Sequence, residues 1–310
     1  MNSRFIVGLV FCISMLFSCK EQETSTPSST PTQSEIASTT DLHTSTKGSG
    51  EPIIVIHGGP GLSAAYLEEH LDGLAEEYQL IFYDQRNSGR SELDNDGSKM
   101  TLAGFLKDID DIRKAYGHEK VHIMAHSWGG LLGMKYALNY SEQVDKLILV
   151  NSISPDVDIN QKNDIRLGNL MSADDIKARN QIMRTEAFKN SDPKAFEELM
   201  HIGFGYLFAD PNQLKNLTLD LPADYAAKSQ QLGLLFADFS EYNYTQELAS
   251  LQMPVLLISG IKDPGVPLAL NSLTAAIPEA TIVGINDAGH FPFIEQPEEF
   301  ISKVKTFLAN

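Results

Sequence analysis

Between Glu51 and Val150, four short runs rich in β-branched and aromatic residues alternate with stretches of helical periodicity. The runs are Ile53 to Ile56, Leu80 to Tyr83, Val121 to Ala125 and Val144 to Val150. Each is apolar almost throughout rather than at alternate positions, which predicts strands covered on both faces. The stretches between them predict three helices: one capped by Ser63 and running to Tyr78, one opened by Thr101 and running to about Tyr116, and one from Trp128 to Asn139. Strands of this kind, joined by helices, form a mostly parallel sheet with helices on both faces, so the fold class is α/β.

After Asn151 the rhythm breaks. Residues 152–250 carry helix-like stretches, such as Ala173 to Phe188 and Pro193 to Met200, with few strand signals. The strand pattern resumes at Val255 to Ile258 and Thr281 to Val283, and a closing helix is expected from Pro297 to Leu308, proline being favoured at a helix start. A helical insertion between two strands of one sheet predicts a lid over the carboxyl ends of the strands, where open α/β sheets place their ligands. The folded part then consists of a core split into 41–151 and 251–310, with the lid at 152–250 between them.

The N-terminal stretch reads as a targeting signal. Arg4 supplies a positive start, Phe5 to Phe17 is almost continuously apolar, and Leu16-Phe17-Ser18-Cys19 resembles a bacterial lipobox, where cleavage precedes a lipid-modified cysteine. The alternative is an ordinary secretory signal that ends near a cysteine. Residues 1–18 are thus expected to be removed. Residues 19–40, rich in Ser, Thr, Pro and Gln, have too little apolar surface to offset their ordering entropy, which predicts a tether behind a lipid at Cys19. The expected location is the bacterial cell envelope, with membrane attachment only through that lipid. Cys12 falls in the signal and Cys19 at the anchor, so the folded part holds no cysteine. That excludes disulfides, thiolate metal sites and a cysteine nucleophile. A formal charge of −17 makes nucleic acid an unsuitable partner.

The chemistry centres on Ala125-His126-Ser127-Trp128-Gly129, a small-x-Ser-x-small sequence between a strand and a helix. This is the setting of a nucleophile elbow, where small neighbours let strand and helix approach and the serine hydroxyl points out of the sheet. Read alone, Ser127 is a helix cap. It gains a second meaning from Asp263, just past the strand Val255 to Ile258, and His290, just past Thr281 to Val283. The order Ser, Asp, His is that of the α/β-hydrolases. His290 would take the Ser127 proton as base, Asp263 would fix the imidazole tautomer, and Ser127 would attack a carbonyl. The oxyanion needs backbone donors: Trp128 N–H supplies one, and Gly59 in His57-Gly58-Gly59-Pro60-Gly61 the other, with Gly58 as the alternative. No His, Asp and Glu cluster has metal-ligand spacing, so no metal or cofactor is implied.

Three segments carry a more specific likeness. His57-Gly58-Gly59-Pro60-Gly61, Tyr83-Asp84-Gln85-Arg86-Asn87-Ser88-Gly89-Arg90-Ser91 and His126-Ser127-Trp128-Gly129-Gly130 resemble the signature segments of the proline iminopeptidase (prolyl aminopeptidase) group of α/β-hydrolases. The resemblance spans about Leu42 to the C-terminus and is strongest outside the lid. It implies an aminopeptidase whose substrate is a short peptide or aminoacyl arylamide, with acidic residues in or near the cap gripping the amino group. Glu241 and Glu247 are the candidates for that grip, ahead of Asp238 and Asp224, since the lid lacks the group's tryptophan-glutamate segment. Two further departures are Asn87 in place of glycine, which Asn tolerates in left-handed backbone, and a short polar Leu42 to Lys47 where the group has its first strands, implying one missing edge strand.

Other residues receive structural readings. His57 is expected to hold the oxyanion loop, His126 to pack beside the elbow, and Asp84 and Arg86 to form a turn-stabilising ion pair, with a substrate-side role in the cleft as the alternative. Phe204, Tyr206, Phe208, Phe236, Phe239, Tyr242 and Tyr244 are expected mostly as lid core with some lining a pocket. Two rival functions stand beside the aminopeptidase: an esterase or lactonase on the same scaffold, and a non-catalytic envelope protein that captures a ligand.

Overall fold

The computed structural model describes residues 42–235 and 238–310. The signal, the tether, Cys19 and Phe236 lie outside the described residues. Seven strands form one sheet: β1 (Thr44–Lys47), β2 (Glu51–Ile56), β3 (Tyr78–Tyr83), β4 (Val121–His126), β5 (Val144–Val150), β6 (Val255–Gly260) and β7 (Thr281–Ile285). Their spatial order is β1-β3-β2-β4-β5-β6-β7, with β1 antiparallel to β3 and every other pair parallel.

The apolar runs form strands because both of their faces are covered. Ile53, Val55, Leu80 and Phe82 face one cluster with Tyr66, Leu71, Phe300 and Val304, while Ile54, Ile56, Ile81 and Tyr83 face the other with Phe105, Ile109, Leu131 and Leu132. Alternate side chains of one strand therefore enter opposite cores, and helices are needed on both sides. Pro297–Leu308 covers the first face; Leu102–Ala115 and Trp128–Asn139 cover the second. Thr101 opens its helix by accepting the Gly104 N–H at 3.1 Å.

Two expected helices are broken. The stretch from Ser63 forms two short helices, Ala65–Glu68 and Asp72–Ala75, because Leu71 leaves helical geometry (φ −107°, ψ 12°) and is fully buried. Ala173 to Phe188 splits into Ala173–Ile182 and Glu186–Lys189. There Thr185 Oγ1 bonds the Ile182 carbonyl at 2.7 Å and accepts the Phe188 N–H at 3.2 Å, ending one helix and capping the next.

Between β5 and β6 the described residues form six α-helices from Val157 to Leu248. Asp156, Ser172, Thr185 and Asp192 cap four of them through side-chain oxygens. The insertion and the loops at the carboxyl ends of the strands together line a cavity of about 460 Å³.

Candidate active site

The chain leaves β2 toward β3 on one side and later enters β4 on the other, so β2 and β4 are neighbours with diverging connections. Such a switch point opens a crevice at the carboxyl ends of the strands. The His57–Gly61 loop follows β2 and Ser127 follows β4, so both reach this crevice from adjacent strands.

Ser127 sits at φ 55° and ψ −121°. An L-residue held at positive φ in this way costs about 1–3 kcal/mol, and the surroundings must enforce it. They do: Ser127 N–H donates to the Val150 carbonyl at 3.0 Å, and the Ser127 carbonyl accepts from Gly130 at 2.9 Å and Ile153 at 3.3 Å. The side chain does not cap the following helix. A Cβ on Gly129 would come within 2.6 Å of the Ile56 and His57 carbonyl oxygens, and one on Gly133 within 2.9 Å of the Ala125 Cβ. Small residues are thus required on both sides of the serine by contact between helix and strands.

His290 and Asp263 meet. His290 Nδ1 lies 2.6 Å from Asp263 Oδ2, and both residues line the cavity together with Ser127. Asp263 also accepts from Asn151 Nδ2 at 2.7 Å and from Gly265 N–H at 2.7 Å. Burial pushes the Asp263 carboxyl up, but the His290 charge and these hydrogen bonds outweigh it and hold the pKa below the ordinary carboxylate value. An ionised Asp263 makes Nδ1 the protonated ring nitrogen and leaves Nε2 as the acceptor. Among the described residues the Ser127 hydroxyl has no hydrogen-bond partner.

Asn151, which follows β5, was not singled out from the sequence. It is 2% exposed, and it bonds Asp263, the Gly289 carbonyl at 3.2 Å and the Gly260 N–H at 3.2 Å. One side chain thus ties the acid loop to the loop carrying His290. The available signal was a polar residue directly after the apolar run Leu147 to Val150.

The loop after β2 is fixed by buried imidazoles. His57 Nδ1 bonds the Gly58 carbonyl at 2.7 Å and Nε2 accepts the Gln85 N–H at 2.9 Å, as its expected holding role requires. Gly58 N–H donates to Tyr66 Oη at 2.6 Å, and Tyr66 Oη lies 2.8 Å from His126 Nδ1. Gly58 lines the cavity, but its amide is committed to Tyr66 and is unavailable to an oxyanion. Gly59 N–H has no partner among the described residues. Gly59 itself has φ 128°, where a Cβ would press on Gly61 N at 2.8 Å.

The expected amine-binding glutamates are not at the cavity. Glu241 is exposed, and Glu247 is exposed and paired with Lys135 at 3.1 Å. Asp238 accepts the Leu102 N–H at 2.9 Å and Asp224 pairs with Lys228 at 3.0 Å, both on the outer surface. The insertion carboxylate that does line the cavity is Asp164, whose pKa burial raises to about 6. It has no ion pair or hydrogen bond among the described residues. Val157, Asn160, Asp164 and Leu167 all line the cavity from one helix, and this three-and-four spacing was its sequence signal. Of the six described among these aromatic residues, Phe204, Phe239 and Tyr242 line the cavity.

The expected Asp84–Arg86 pair is also replaced. Asp84 pairs with Arg90 Nε at 3.0 Å and accepts Ala64 N–H at 2.8 Å, while Arg86 Nε bonds Asp108 Oδ2 at 2.8 Å. Asn87 (φ 53°) and Gly89 (φ 48°), both after Arg86, turn the chain so that Arg90 returns to Asp84, while Arg86 reaches Asp108 on the helix Leu102–Ala115. Among the described residues, no group of His, Cys, Asp and Glu could hold a metal ion, and no helix is long and apolar enough to cross a membrane.

A family model described as alpha/beta hydrolase fold matches residues 51–297. The chain belongs to the α/β-hydrolase fold family. Within it, the chain is 27% identical over 275 residues to a proline iminopeptidase of Lactobacillus delbrueckii subsp. bulgaricus, covering 84% of this chain and 90% of that one. A proline iminopeptidase of Heyndrickxia coagulans is 26% identical over 271 residues, covering 84% and 91%. Among solved structures, an alpha/beta fold family hydrolase from Bacillus anthracis superposes with TM-score 0.66 at 20% identity, covering 86% of this chain and 95% of that one. This α/β-hydrolase is thus a hydrolase with prolyl aminopeptidase-like sequence, and the structural likeness extends its fold assignment.

Proposed function

We propose that this α/β-hydrolase is a serine hydrolase that works through an acyl-enzyme, and that it releases N-terminal residues from short peptides. The observation that carries the reading is the Asp263–His290 bond opening onto the same cavity as a strained serine whose hydroxyl caps nothing. Ser127 Oγ attacks the first peptide carbonyl while His290 Nε2 takes its proton. The tetrahedral oxyanion is met by the N–H groups of Gly59 and Trp128. His290 then returns the proton to the departing amine, leaving an ester on Ser127. Water, deprotonated by the same nitrogen, attacks that ester; the acyl–oxygen bond breaks, and the proton returns to Ser127.

In this reading Asp164 replaces Glu241 and Glu247 as the carboxylate for the substrate ammonium. It is supported by its place on the cavity wall and its lack of a protein partner. The apolar wall, with Leu199, Phe204, Leu207 and Phe239, suits an acyl ester too, and gives the second reading, an esterase or lactonase. Proline arylamides and short-chain acyl esters, assayed on the same protein and on Ser127→Ala, separate the two. Arylamide turnover that vanishes in Ser127→Ala supports the aminopeptidase. Fast ester hydrolysis beside inert arylamides replaces it with the esterase, and turnover retained in Ser127→Ala removes the mechanism.

We further propose attachment to the bacterial cell envelope through lipid at Cys19, resting on the apolar Phe5 to Phe17 and the Ser18-Cys19 junction. Cys19→Ser should move the protein from the membrane fraction to the soluble fraction; unchanged partition would contradict the anchor.

A further inference from the structure

One charged group on the cavity wall has no part in the chemistry above. Arg179, on the helix Ala173–Ile182, lines the cavity, half-buried, and has no carboxylate or carbonyl partner among the described residues. Its own helix supplies no neutralising partner: Asp175 is taken by Ser172 and Tyr206, and Asp174 is exposed. Asp164 lines the same cavity without pairing with it. Burial lowers the Arg179 pKa, so the fold pays for desolvating a guanidinium and recovers nothing from an internal ion pair.

An arginine in that condition matches one ligand chemistry better than others. Its planar fork of N–H donors is shaped for a carboxylate, and a partly dehydrated setting strengthens such a bond. Opposite it in charge stands Asp164, free to hold an ammonium. A cavity of about 460 Å³ with one unpaired anion and one unpaired cation is complementary to a small zwitterion, and it lies in the size range of small-ligand sites, ~300–1,000 Å³.

We propose that Arg179 receives the C-terminal carboxylate of the substrate, so that the substrate class is short peptides with both termini free. The inference rests on the aminopeptidase reading for where the scissile bond lies. Arg179 is a specificity residue in it and touches no reacting atom.

The test compares a prolyl dipeptide with its C-terminal carboxamide, using the full chain, and includes a proline arylamide to read the hydrolase activity separately. The wild type should favour the free acid in kcat/KM by about 10-fold or more, the scale of a charge-assisted hydrogen bond. Arg179→Met should bring that ratio to about one, and Arg179→Lys should restore part of it. Calorimetric binding of the two dipeptides to Ser127→Ala reads the same preference without turnover. If arylamides are cleaved but acid and carboxamide are handled alike, or if Arg179→Met keeps the wild-type ratio, the inference is overturned and the hydrolase reading stands. If nothing is cleaved while Ser127→Ala still binds the acid selectively through Arg179, the aminopeptidase reading falls and the carboxylate site survives.

Discussion

Tyr66 Oη, 2.8 Å from His126 Nδ1, joins the loop after β2 to the loop that carries His290. Burial first, and then the nearby His290, hold the His126 pKa well below its ordinary value, so the ring is neutral. Its Nε2 lies 2.9 Å from the His290 carbonyl and must be the protonated nitrogen, which makes Nδ1 the acceptor for the Tyr66 hydroxyl. The sequence reading of His126 as a packed neighbour therefore understates it. Tyr66→Phe deprives the buried Gly58 N–H of its acceptor and the imidazole of its donor. The expected loss is about 1–3 kcal/mol of stability, read by denaturant unfolding, with a fall in kcat larger than any change in KM. Wild-type unfolding and kcat in that variant would dismiss the link.

The cavity carboxylate gives a pH signature. Burial raises the Asp164 pKa from 3.8 to about 6, so the carboxyl is neutral below that pH and anionic above it. As receptor for an ammonium it should make kcat/KM for aminoacyl substrates rise through about pH 6, and Asp164→Asn should remove that limb. Stability moves the opposite way. A folded pKa above the unfolded one means the fold disfavours the ion, so Asp164→Asn should raise Tm at pH 8 and give up that gain as pH falls toward 4. An unchanged pH profile in Asp164→Asn would exclude this residue from amine binding.

The elbow glycine offers a steric prediction. Gly129→Ala would press a methyl onto the Ile56 and His57 carbonyl oxygens, moving the loop that carries Gly59. It should destabilise by about 1–3 kcal/mol and depress turnover beyond what the folded fraction explains. Gly168, at the end of its helix with open space around it, is the control, and Gly168→Ala should be neutral or stabilising by up to about 1 kcal/mol. Equal effects in both variants would deny that close approach dictates the glycine.

Much of the fold was readable because strands buried on both faces leave an unbroken apolar run, as Ile53 to Ile56 and Leu147 to Val150 do. Ser127 and Asp263 were placed for a related reason, since each lies within three residues of such a run, whereas His290 follows the edge strand β7, whose side chains are largely exposed, and was placed by its order in the chain. Asp164 was not, although its helical spacing was visible. Which face of Val157–Gly168 turns inward depends on how the insertion packs over the sheet, a long-range matter that local pattern does not encode. Glu247 looked equivalent in sequence, yet it meets Lys135 on the outside. Asp84 and Arg86 misled similarly, since two left-handed residues after them decide which partners they reach.

In the proposed mechanism Ser127 is a nucleophile activated by the His290–Asp263 pair. A fluorophosphonate reacts covalently with such a serine, and peptide mapping by mass spectrometry locates the adduct. The folded full-length protein should gain one adduct, on Ser127, with labelling abolished in Ser127→Ala and slowed at least about 100-fold in Asp263→Asn. A folded protein that stays unlabelled, or that carries the adduct at another residue while Ser127→Ala keeps its turnover, would contradict it.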